Sequence, residues 1–243
     1  MSPAEAAPGG ATRFRNLRAV LFDLDGTLAD TAPDLAQAAN EMRFVRGFAP
    51  LPLSCFRPVA SQGARGLLRV ALHKTPEDPD YETLRDEFLS AYAKTLYVDS
   101  TLFDGMAELL DQIEALGLRW GIVTNKIACF TTPLVERLGV SHRAAVVVSG
   151  DTTAHSKPHP APLQHAAASM GLAPSSCVYV GDDLRDIRAG HAAGMRVVAA
   201  AYGYCEASEV KRWDADAIIA SPGELPAVLL ALDAVAPEQR VLF

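Results

Sequence analysis

Two aspartates lie one residue apart at the end of an apolar run in VLFDLDGTLADT, residues 20–31. The run before Asp23 predicts a buried strand, so Asp23 and Asp25 lie where the chain leaves that strand and meets solvent. Burial of the strand does not require two like charges at such a point, so we expect the pair to have a chemical function. Gly26 permits the tight turn that would direct both carboxylates to one place. Taken alone, the motif is also typical of a turn or a helix cap.

Polar residues also follow other apolar runs of the chain. Thr124 and Asn125 follow one run, Asp182 and Asp183 follow another, and Lys157 lies in a loop after a third. In an open parallel sheet, functional sites form beyond the carboxyl ends of the strands. We therefore expect these side chains to meet the aspartate pair of the first run at one edge of a sheet.

This combination of groups suits phosphoryl transfer. A carboxylate such as Asp23 can attack phosphorus and form an acyl-phosphate, which divides one difficult step into two. The phosphate repels it, because two unit charges ~4 Å apart cost about 4 kcal/mol at an effective dielectric of roughly 20. Mg²⁺ bound by carboxylate oxygens would remove that barrier, and Asp23 and Asp182 could supply the oxygens.

The remaining groups complete the predicted reaction. Lys157 would add a second cation beside the phosphate, and Thr124 could donate a hydrogen bond to a phosphoryl oxygen. Asp25 is a plausible acid for the leaving oxygen and, once deprotonated, a base that activates water. Each motif has a structural interpretation on its own, but the ordered set at successive strand ends favours catalysis.

Continuous apolar runs predict the strands that must position these residues. The predicted strands are residues 18–25, 119–125, 144–151, 177–183, 196–202 and 217–220. Continuous runs, unlike alternating ones, are typical of parallel strands that are covered on both faces. Helical spacing between them predicts helices over residues 106–117, 131–139, 162–171, 184–194 and 224–235. The sequence therefore predicts an α/β fold with a parallel sheet between two layers of helices.

The interval 33–102 breaks this alternation of strands and helices. Its helical patterns lie at residues 34–47, 61–72 and 80–96, and it contains no convincing buried strand. An irregular connection of this length is uncommon in a compact domain. We therefore predict a small helical unit inserted after the first strand.

Composition excludes several classes of protein. The 243 residues carry a net charge of −7 and no basic run, so nucleic acid is not expected as the main partner. No uninterrupted run of 18 apolar residues predicts a membrane span. The four cysteines are scattered without metal-ligand spacing, which indicates reduced thiols and a cytoplasmic location. Residues 1–16 are small and polar and are expected to form a disordered tail.

The motifs DLDGT, TN, SKP and GDDLRD, in this order, resemble those of the haloacid dehalogenase superfamily of phosphotransferases. The resemblance covers nearly the whole chain from Leu17 onward. It implies a Rossmann-like core of residues 17–32 and 103–243 and a helical cap of residues 33–102. The dehalogenase branch lacks the second aspartate of the first motif, so Asp25 indicates a phosphatase.

The resemblance also implies roles for individual residues. Asp23 would be the nucleophile and Asp25 the acid and base. Mg²⁺ would be bound by Asp23, Asp182 and the Asp25 carbonyl. Asp183 and Asp186 would be supporting acidic residues that hold Lys157 or metal-bound water.

Within the superfamily, the chain resembles phosphoglycolate phosphatases and N-acetylmuramic acid 6-phosphate phosphatases. The shared stretches are GARGLL, LFDGMAELL, WGIVTNK, VYVGDDLRDI and YGY. Phosphoglycolate is the first expected substrate, and N-acetylmuramic acid 6-phosphate is the alternative. A sugar-phosphate mutase and a non-catalytic regulator that binds phosphorylated metabolites remain rival interpretations. Either a monomer or a homodimer is compatible with the sequence.

Substrate choice is expected to depend on the cap and on the residues beside the phosphate. Thr124, Asn125 and Lys157 are predicted to bind the phosphoryl group. Arg65, in the cap segment SQGARG, could pair with a substrate carboxylate, although a solvated arginine near a helix start fits equally well. Lys126 either faces the substrate or lies on the surface.

Overall fold

A parallel sheet forms the centre of the molecule in the computed structural model, which describes residues 14–234. The strands in chain order are β1 (Ala19–Phe22), β2 (Ala29–Asp30), β3 (Thr101–Leu102), β4 (Arg119–Val123), β5 (Val147–Val148), β6 (Cys177–Gly181), β7 (Arg196–Ala200) and β8 (Ala217–Ile219). Six of these strands form the sheet in the order β5-β4-β1-β6-β7-β8. In the register of the central strand, Ala19 pairs with Arg119 on one side and Cys177 on the other. The predicted α/β fold is confirmed.

Helices surround this sheet and also form a separate group after β2. The helices in chain order are α1 (Ala32–Phe44), α2 (Leu53–Phe56), α3 (Gly63–Leu72), α4 (Tyr81–Thr95), α5 (Met106–Ala115), α6 (Ala128–Arg137), α7 (Ala161–Ser169), α8 (Leu184–Ala193), α9 (Ala207–Val210) and α10 (Leu225–Ala234). Short 3-10 turns add to them, of which Arg57–Gln62, between α2 and α3, bears on the site.

The alternation of side chains along β1 explains the three layers. Val20 and Phe22 are fully buried in an apolar cluster with α5, α6 and α10 on one face of the sheet. Ala19 and Leu21 point to the other face and pack with α7 and α8. Because successive side chains of a strand point to opposite faces, an entirely apolar strand can support a helical layer on each side.

The helices α1 to α4 pack around an apolar cluster of their own. Large members of that cluster are Met42, Phe56, Leu67, Phe88 and Tyr92. This group occupies the interval 33–102, for which we predict a cap, and its assignment as a cap stays a prediction. The short helix α2 and the 3-10 turn after it were not predicted from the sequence.

Two chain crossings join this helical group to the rest of the molecule. The two-residue strands β2 and β3 pair antiparallel at the point where the chain leaves and returns. Asp34 at the start of α1 is fully buried and accepts backbone hydrogen bonds from Val98, Asp99 and Ser100 at 2.8–3.2 Å. The outgoing and returning segments are therefore held together by one carboxylate.

The predicted disordered tail, residues 1–16, lies partly outside the described part of the chain, which begins at Phe14. Residues 1–13 lie outside the described part of the chain, but Phe14 is buried against the core. The Asp233 carboxylate in α10 accepts hydrogen bonds from the backbone N–H groups of Arg15, Asn16 and Leu17 at 2.6–2.8 Å. These bonds fix residues 14–16, so the prediction of disorder is wrong for them. Within residues 14–234, no helix is long and apolar enough to cross a membrane.

Candidate active site

Side chains from three strand ends meet at the carboxyl edge of the sheet. Asp23 follows β1, Thr124 and Asn125 follow β4, and Asp182 follows β6. The turn after β1 is joined to the neighbouring strand by a hydrogen bond of 2.9 Å from the Asp23 N–H to the Val180 carbonyl. A cavity of about 230 Å³ opens beside these ends and is lined by Asp23, Asp25, Thr124, Asn125 and Lys157, among others.

Gly26 is required by the turn between the two aspartates and the next strand. Its φ is +84°, a conformation that residues with a side chain rarely adopt. A Cβ atom at this position would lie 2.2 Å from Oδ2 of Asp182. The glycine therefore permits both the turn and the close approach of Asp182 to the first motif.

Lys157 connects two buried carboxylates. Its Nζ lies 2.8 Å from Oδ1 of Asp23 and 2.7 Å from Oδ1 of Asp186. The same nitrogen donates to the Tyr179 hydroxyl at 2.8 Å and to the Val123 carbonyl at 3.1 Å. Because the side chain is only 3% exposed, water does not screen these contacts.

Asn125 holds the loop that carries Lys157. Its Nδ2 donates to the Lys157 carbonyl and its Oδ1 accepts from the Lys157 N–H, both at 2.9 Å. Its side-chain amide is thus engaged with the protein backbone, which makes Asn125 a positioning residue for Lys157. The predicted contact of Asn125 with substrate stays a prediction, as does that of Thr124, whose hydroxyl accepts a hydrogen bond of 3.1 Å from the Lys126 N–H.

Three carboxylates gather close enough to bind one metal ion. One oxygen each from Asp23, Asp182 and Asp186 lies within 4.8 Å of the others, and all three residues are buried. Burial, opposed by Lys157 and assisted by nearby Asp186, raises the pKa of Asp23 to about 7. Burial, together with Asp23 and Asp186, also raises the pKa of Asp182 well above its ordinary value.

The charge balance of this cluster suits a hard divalent cation. Among the described residues, three buried carboxylates face one buried ammonium at the cluster, that of Lys157, so full ionisation of the carboxylates would leave excess negative charge there. All three donors are carboxylate oxygens, the ligands that such cations prefer. Asp182 is oriented by hydrogen bonds from the Tyr204 N–H at 2.9 Å and the Ser61 hydroxyl at 3.0 Å. The residues present therefore fit a metal ion of this kind.

Asp25 belongs to a second, separate charge pair. Its Oδ1 accepts a hydrogen bond of 2.5 Å from the Thr31 hydroxyl and lies 3.1 Å from Nζ of Lys126. Lys126 is 8% exposed, donates to the Tyr92 hydroxyl at 3.0 Å and lies 4.6 Å from the centre of the Tyr92 ring. Burial alone would lower the pKa of Lys126, but Asp25 and Tyr92 raise it above its ordinary value. Lys126 is thus a buried residue that lines the cavity and not a surface lysine, while its contact with substrate stays a prediction.

Comparison with known proteins agrees with this geometry. Residues 20–200 match the profile of a family described as haloacid dehalogenase-like hydrolase. The chain belongs to this family. The predicted superfamily resemblance is therefore confirmed.

Relatives in this hydrolase family indicate which class of bond is hydrolysed. The chain is 44% identical over 214 residues to the N-acetylmuramic acid 6-phosphate phosphatase of Pseudomonas putida, which covers 88% of this chain and 96% of that protein. It is 45% identical over 209 residues to the phosphoglycolate phosphatase of Xanthomonas campestris pv. campestris, which covers 86% of this chain and 94% of that protein. A solved structure, a predicted phosphoglycolate phosphatase from Haemophilus somnus, has a TM-score of 0.77 at 27% identity and covers 88% of this chain and 98% of that one. The prediction of a hydrolase of phosphoric monoesters is confirmed.

The two supporting acidic residues of this haloacid dehalogenase-like hydrolase have different neighbours. Asp186 binds Lys157, whereas both oxygens of Asp183 bind the Arg185 guanidinium at 2.9 Å. Asp183 also caps α8: its carboxylate accepts from the Arg185 N–H at 2.8 Å, and its own N–H donates to Asp186 at 3.1 Å. Although partial burial opposes it, the contact with Arg185 lowers the pKa of Asp183. Of these two supporting residues, Asp186 therefore holds Lys157 and Asp183 does not.

The predicted role of Arg65 is not supported. Arg65 is exposed on α3 and does not belong to the residues that line the cavity, although Gly63 and Ala64 just before it do. Consecutive residues of a helix point in different directions. The side chain of Arg65 therefore points away from the cavity that Ala64 lines. This corrects the expectation that Arg65 pairs with a substrate carboxylate.

The sequence predicted the helix α4 but not that one of its faces forms a wall of the cavity. Residues Arg85, Phe88, Leu89 and Tyr92 of α4 all line it. Counted from Arg85, the other three follow at three, four and seven residues, which places all four on one face of the helix. This spacing was a readable signal, but the sequence does not show that the face covers a site rather than a core.

Proposed function

We propose that the chain is a Mg²⁺-dependent phosphatase that hydrolyses a phosphomonoester of a small metabolite through an aspartyl-phosphate at Asp23. The observation that carries this proposal is the pairing of buried Asp23 with Lys157 at 2.8 Å, inside an acidic cluster that borders the cavity. Asp23, Asp182 and the Asp25 carbonyl would hold Mg²⁺, with Asp186 close by. When bound, the ion would neutralise the charge of the phosphate and the carboxylates.

The first step transfers the phosphoryl group to the protein. The Asp23 carboxylate attacks phosphorus, the bond from phosphorus to the ester oxygen breaks, and the leaving oxygen takes a proton from Asp25. Lys157 and Thr124 stabilise the charge on the phosphoryl oxygens.

The second step releases inorganic phosphate. Water attacks phosphorus of the acyl-phosphate, its proton passes to Asp25, and the bond between phosphorus and the Asp23 oxygen breaks. The free carboxylate of Asp23 and the protonated Asp25 are thereby restored. Lys126 and Thr31 keep the Asp25 carboxylate in place through both steps.

Two substrates follow from the names of the relatives. Phosphoglycolate is the first candidate, and N-acetylmuramic acid 6-phosphate is the second. The apolar side chains Leu35, Phe88, Leu89 and Phe130 along the cavity favour the second, because a sugar ring can pack against them. We further propose a cytoplasmic enzyme that acts, as a monomer or homodimer, on a metabolite and not on nucleic acid or a membrane.

The rival functions on the same fold make different use of the site. A regulator that only binds a phosphorylated metabolite needs neither the buried nucleophile nor a paired acid. A sugar-phosphate mutase would return the phosphoryl group to a second hydroxyl instead of to water. Release of inorganic phosphate therefore distinguishes the proposal from both rivals.

Phosphate release from the two candidate substrates, with and without Mg²⁺, tests the proposal. We expect release that depends on Mg²⁺ and that Asp23→Asn lowers by at least about a thousandfold, because the nucleophile is lost. The matched control is Asp104→Asn, an exposed aspartate outside the cavity, which should retain wild-type activity. Equal activity of Asp23→Asn and the wild type would refute the mechanism.

A further inference from the structure

Four cationic side chains line the cavity among the described residues, and three of them are engaged with carboxylates of the site. Lys157 binds Asp23, Lys126 binds Asp25, and Arg185 binds Asp183. The guanidinium of Arg185 also donates to the Ser61 carbonyl at 2.7 Å. These three cations already have partners that shape the active site.

The fourth cation, Arg85, forms a much weaker ion pair. It pairs with Glu82 at 2.8 Å, three residues earlier on α4, with side chains that are 44% and 75% exposed. Exposed pairs of this kind contribute little, and the arginine can exchange its partner for a ligand at small cost. Arg85 is therefore the cavity cation best able to receive a charge from the substrate.

The position of Arg85 along α4 shows where such a charge would lie. Tyr92, on the same face, reaches Lys126 and thereby marks the catalytic end of the cavity. Arg85 precedes Tyr92 by seven residues, which corresponds to ~10 Å along a helix axis. Phe88 and Leu89 form an apolar wall between them.

We propose that Arg85 binds a carboxylate on the leaving group of the substrate, at the end of the cavity away from the phosphate. The preferred substrate is then a phosphomonoester with a ring-sized body that packs on Phe88 and Leu89 and carries a carboxylate on its far side. The inference rests on the proposed phosphatase function. A guanidinium suits this task because its paired N–H groups match the two oxygens of a carboxylate.

This assignment separates the two candidate substrates. Both are carboxylic acids, but in phosphoglycolate a two-carbon unit keeps the carboxylate beside the phosphate. In N-acetylmuramic acid 6-phosphate a pyranose ring lies between the phosphate and the carboxylate. Only the second can occupy the catalytic end and reach Arg85 at once.

The test compares two sugar phosphates that differ in the carboxylate. N-Acetylglucosamine 6-phosphate lacks the 3-O-lactyl group, which carries the carboxylate of N-acetylmuramic acid 6-phosphate, and is otherwise the same sugar. In Arg85→Gln we expect kcat/KM for the muramic acid substrate to fall by about tenfold or more, mainly through KM, because a hydrogen-bonded charge pair is lost. The value for the glucosamine substrate, and that for phosphoglycolate, should stay within about twofold.

Two further variants control for general effects. Arg85→Lys keeps the charge and should recover part of the lost preference. Arg65→Gln removes an exposed arginine of the neighbouring helix α3 that does not line the cavity and should behave as the wild type. An unchanged preference in Arg85→Gln, or a loss of preference in Arg65→Gln instead, would overturn the inference.

A binding measurement separates failure of this inference from failure of the proposed function. Calorimetric titration of N-acetylmuramic acid 6-phosphate into Asp23→Asn, with and without Arg85→Gln, does not depend on turnover. We expect about tenfold weaker binding in the double variant. Should the wild type hydrolyse no substrate while binding still depends on Arg85, the phosphatase proposal fails and the carboxylate site stands. Absent binding, or binding indifferent to Arg85, overturns the carboxylate site.

Discussion

Asp23 and Asp25 are neighbours in sequence, but each has its own lysine. Lys157 pairs with Asp23, and Lys126 pairs with Asp25. In the structure, burial is the largest influence on the pKa of Asp23, and Asp25 contributes less than Lys157 or Asp186. The two carboxylates, proposed as nucleophile and acid, therefore have different surroundings.

The raised pKa of Asp23 predicts how Mg²⁺ stabilises the protein at different pH. A carboxyl whose pKa is higher in the folded than in the unfolded chain stabilises the fold at low pH, and this contribution is lost as the pH rises through about 7. A bound cation favours the deprotonated cluster. We therefore expect Mg²⁺ to raise the melting temperature more at about pH 8 than at about pH 5, in a thermal denaturation series.

The control for this experiment is Asp23→Asn, which removes one of the titrating ligands. In that variant the difference between the two pH values should shrink. Equal stabilisation of the wild type by Mg²⁺ at both pH values would contradict the assignment of the cluster as the metal site.

At the level of elements, α4 connects the helical group to Asp25, the proposed catalytic acid. The Tyr92 hydroxyl accepts a hydrogen bond from Lys126, whose Nζ also contacts Asp25. A movement of α4 relative to the sheet would change these contacts. The position of α4 and the orientation of Asp25 are therefore coupled through two side chains.

Removal of the Tyr92 hydroxyl tests this coupling. In Tyr92→Phe we expect kcat to fall by about tenfold, the effect of losing a hydrogen bond to a charged group, while KM changes less. Tyr81→Phe is the matched control, because Tyr81 lies on the same helix but does not line the cavity. The measurement is steady-state kinetics with melting temperatures for both variants. An equal loss in the two variants would indicate a general effect on packing instead.

For the whole molecule, the sequence allowed prediction of the elements that consist of long, uniform patterns. The strands β1, β4, β6 and β7 were recognised because each is a continuous apolar run in a sheet covered on both faces. The strand predicted over residues 144–151 is only the two-residue β5 in the structure. Strands β2 and β3 were missed because two residues carry no periodic signal.

In the site, too, some residues could be predicted from the sequence and others could not. Asp23, Asp182 and Lys157 could be placed together because parallel strands end at one edge of a sheet, whatever the details of packing. Residues of the helical group α1 to α4 could not be placed, because the rotation of a helix about its axis decides which side chain faces the cavity. Thus Arg65 was expected in the site and lies outside it, whereas Arg85 lines it.

The most direct test of the central claim is to trap the phosphorylated carboxylate. In Asp25→Asn the base for water attack is absent, and p-nitrophenyl phosphate needs no acid for its leaving group, so the intermediate should accumulate. We expect a burst of about one nitrophenolate per active site. Acid quenching followed by peptide mass spectrometry should then place one phosphoryl group on Asp23. No burst together with phosphate on another residue, or hydrolysis that persists in Asp23→Asn, would contradict the account.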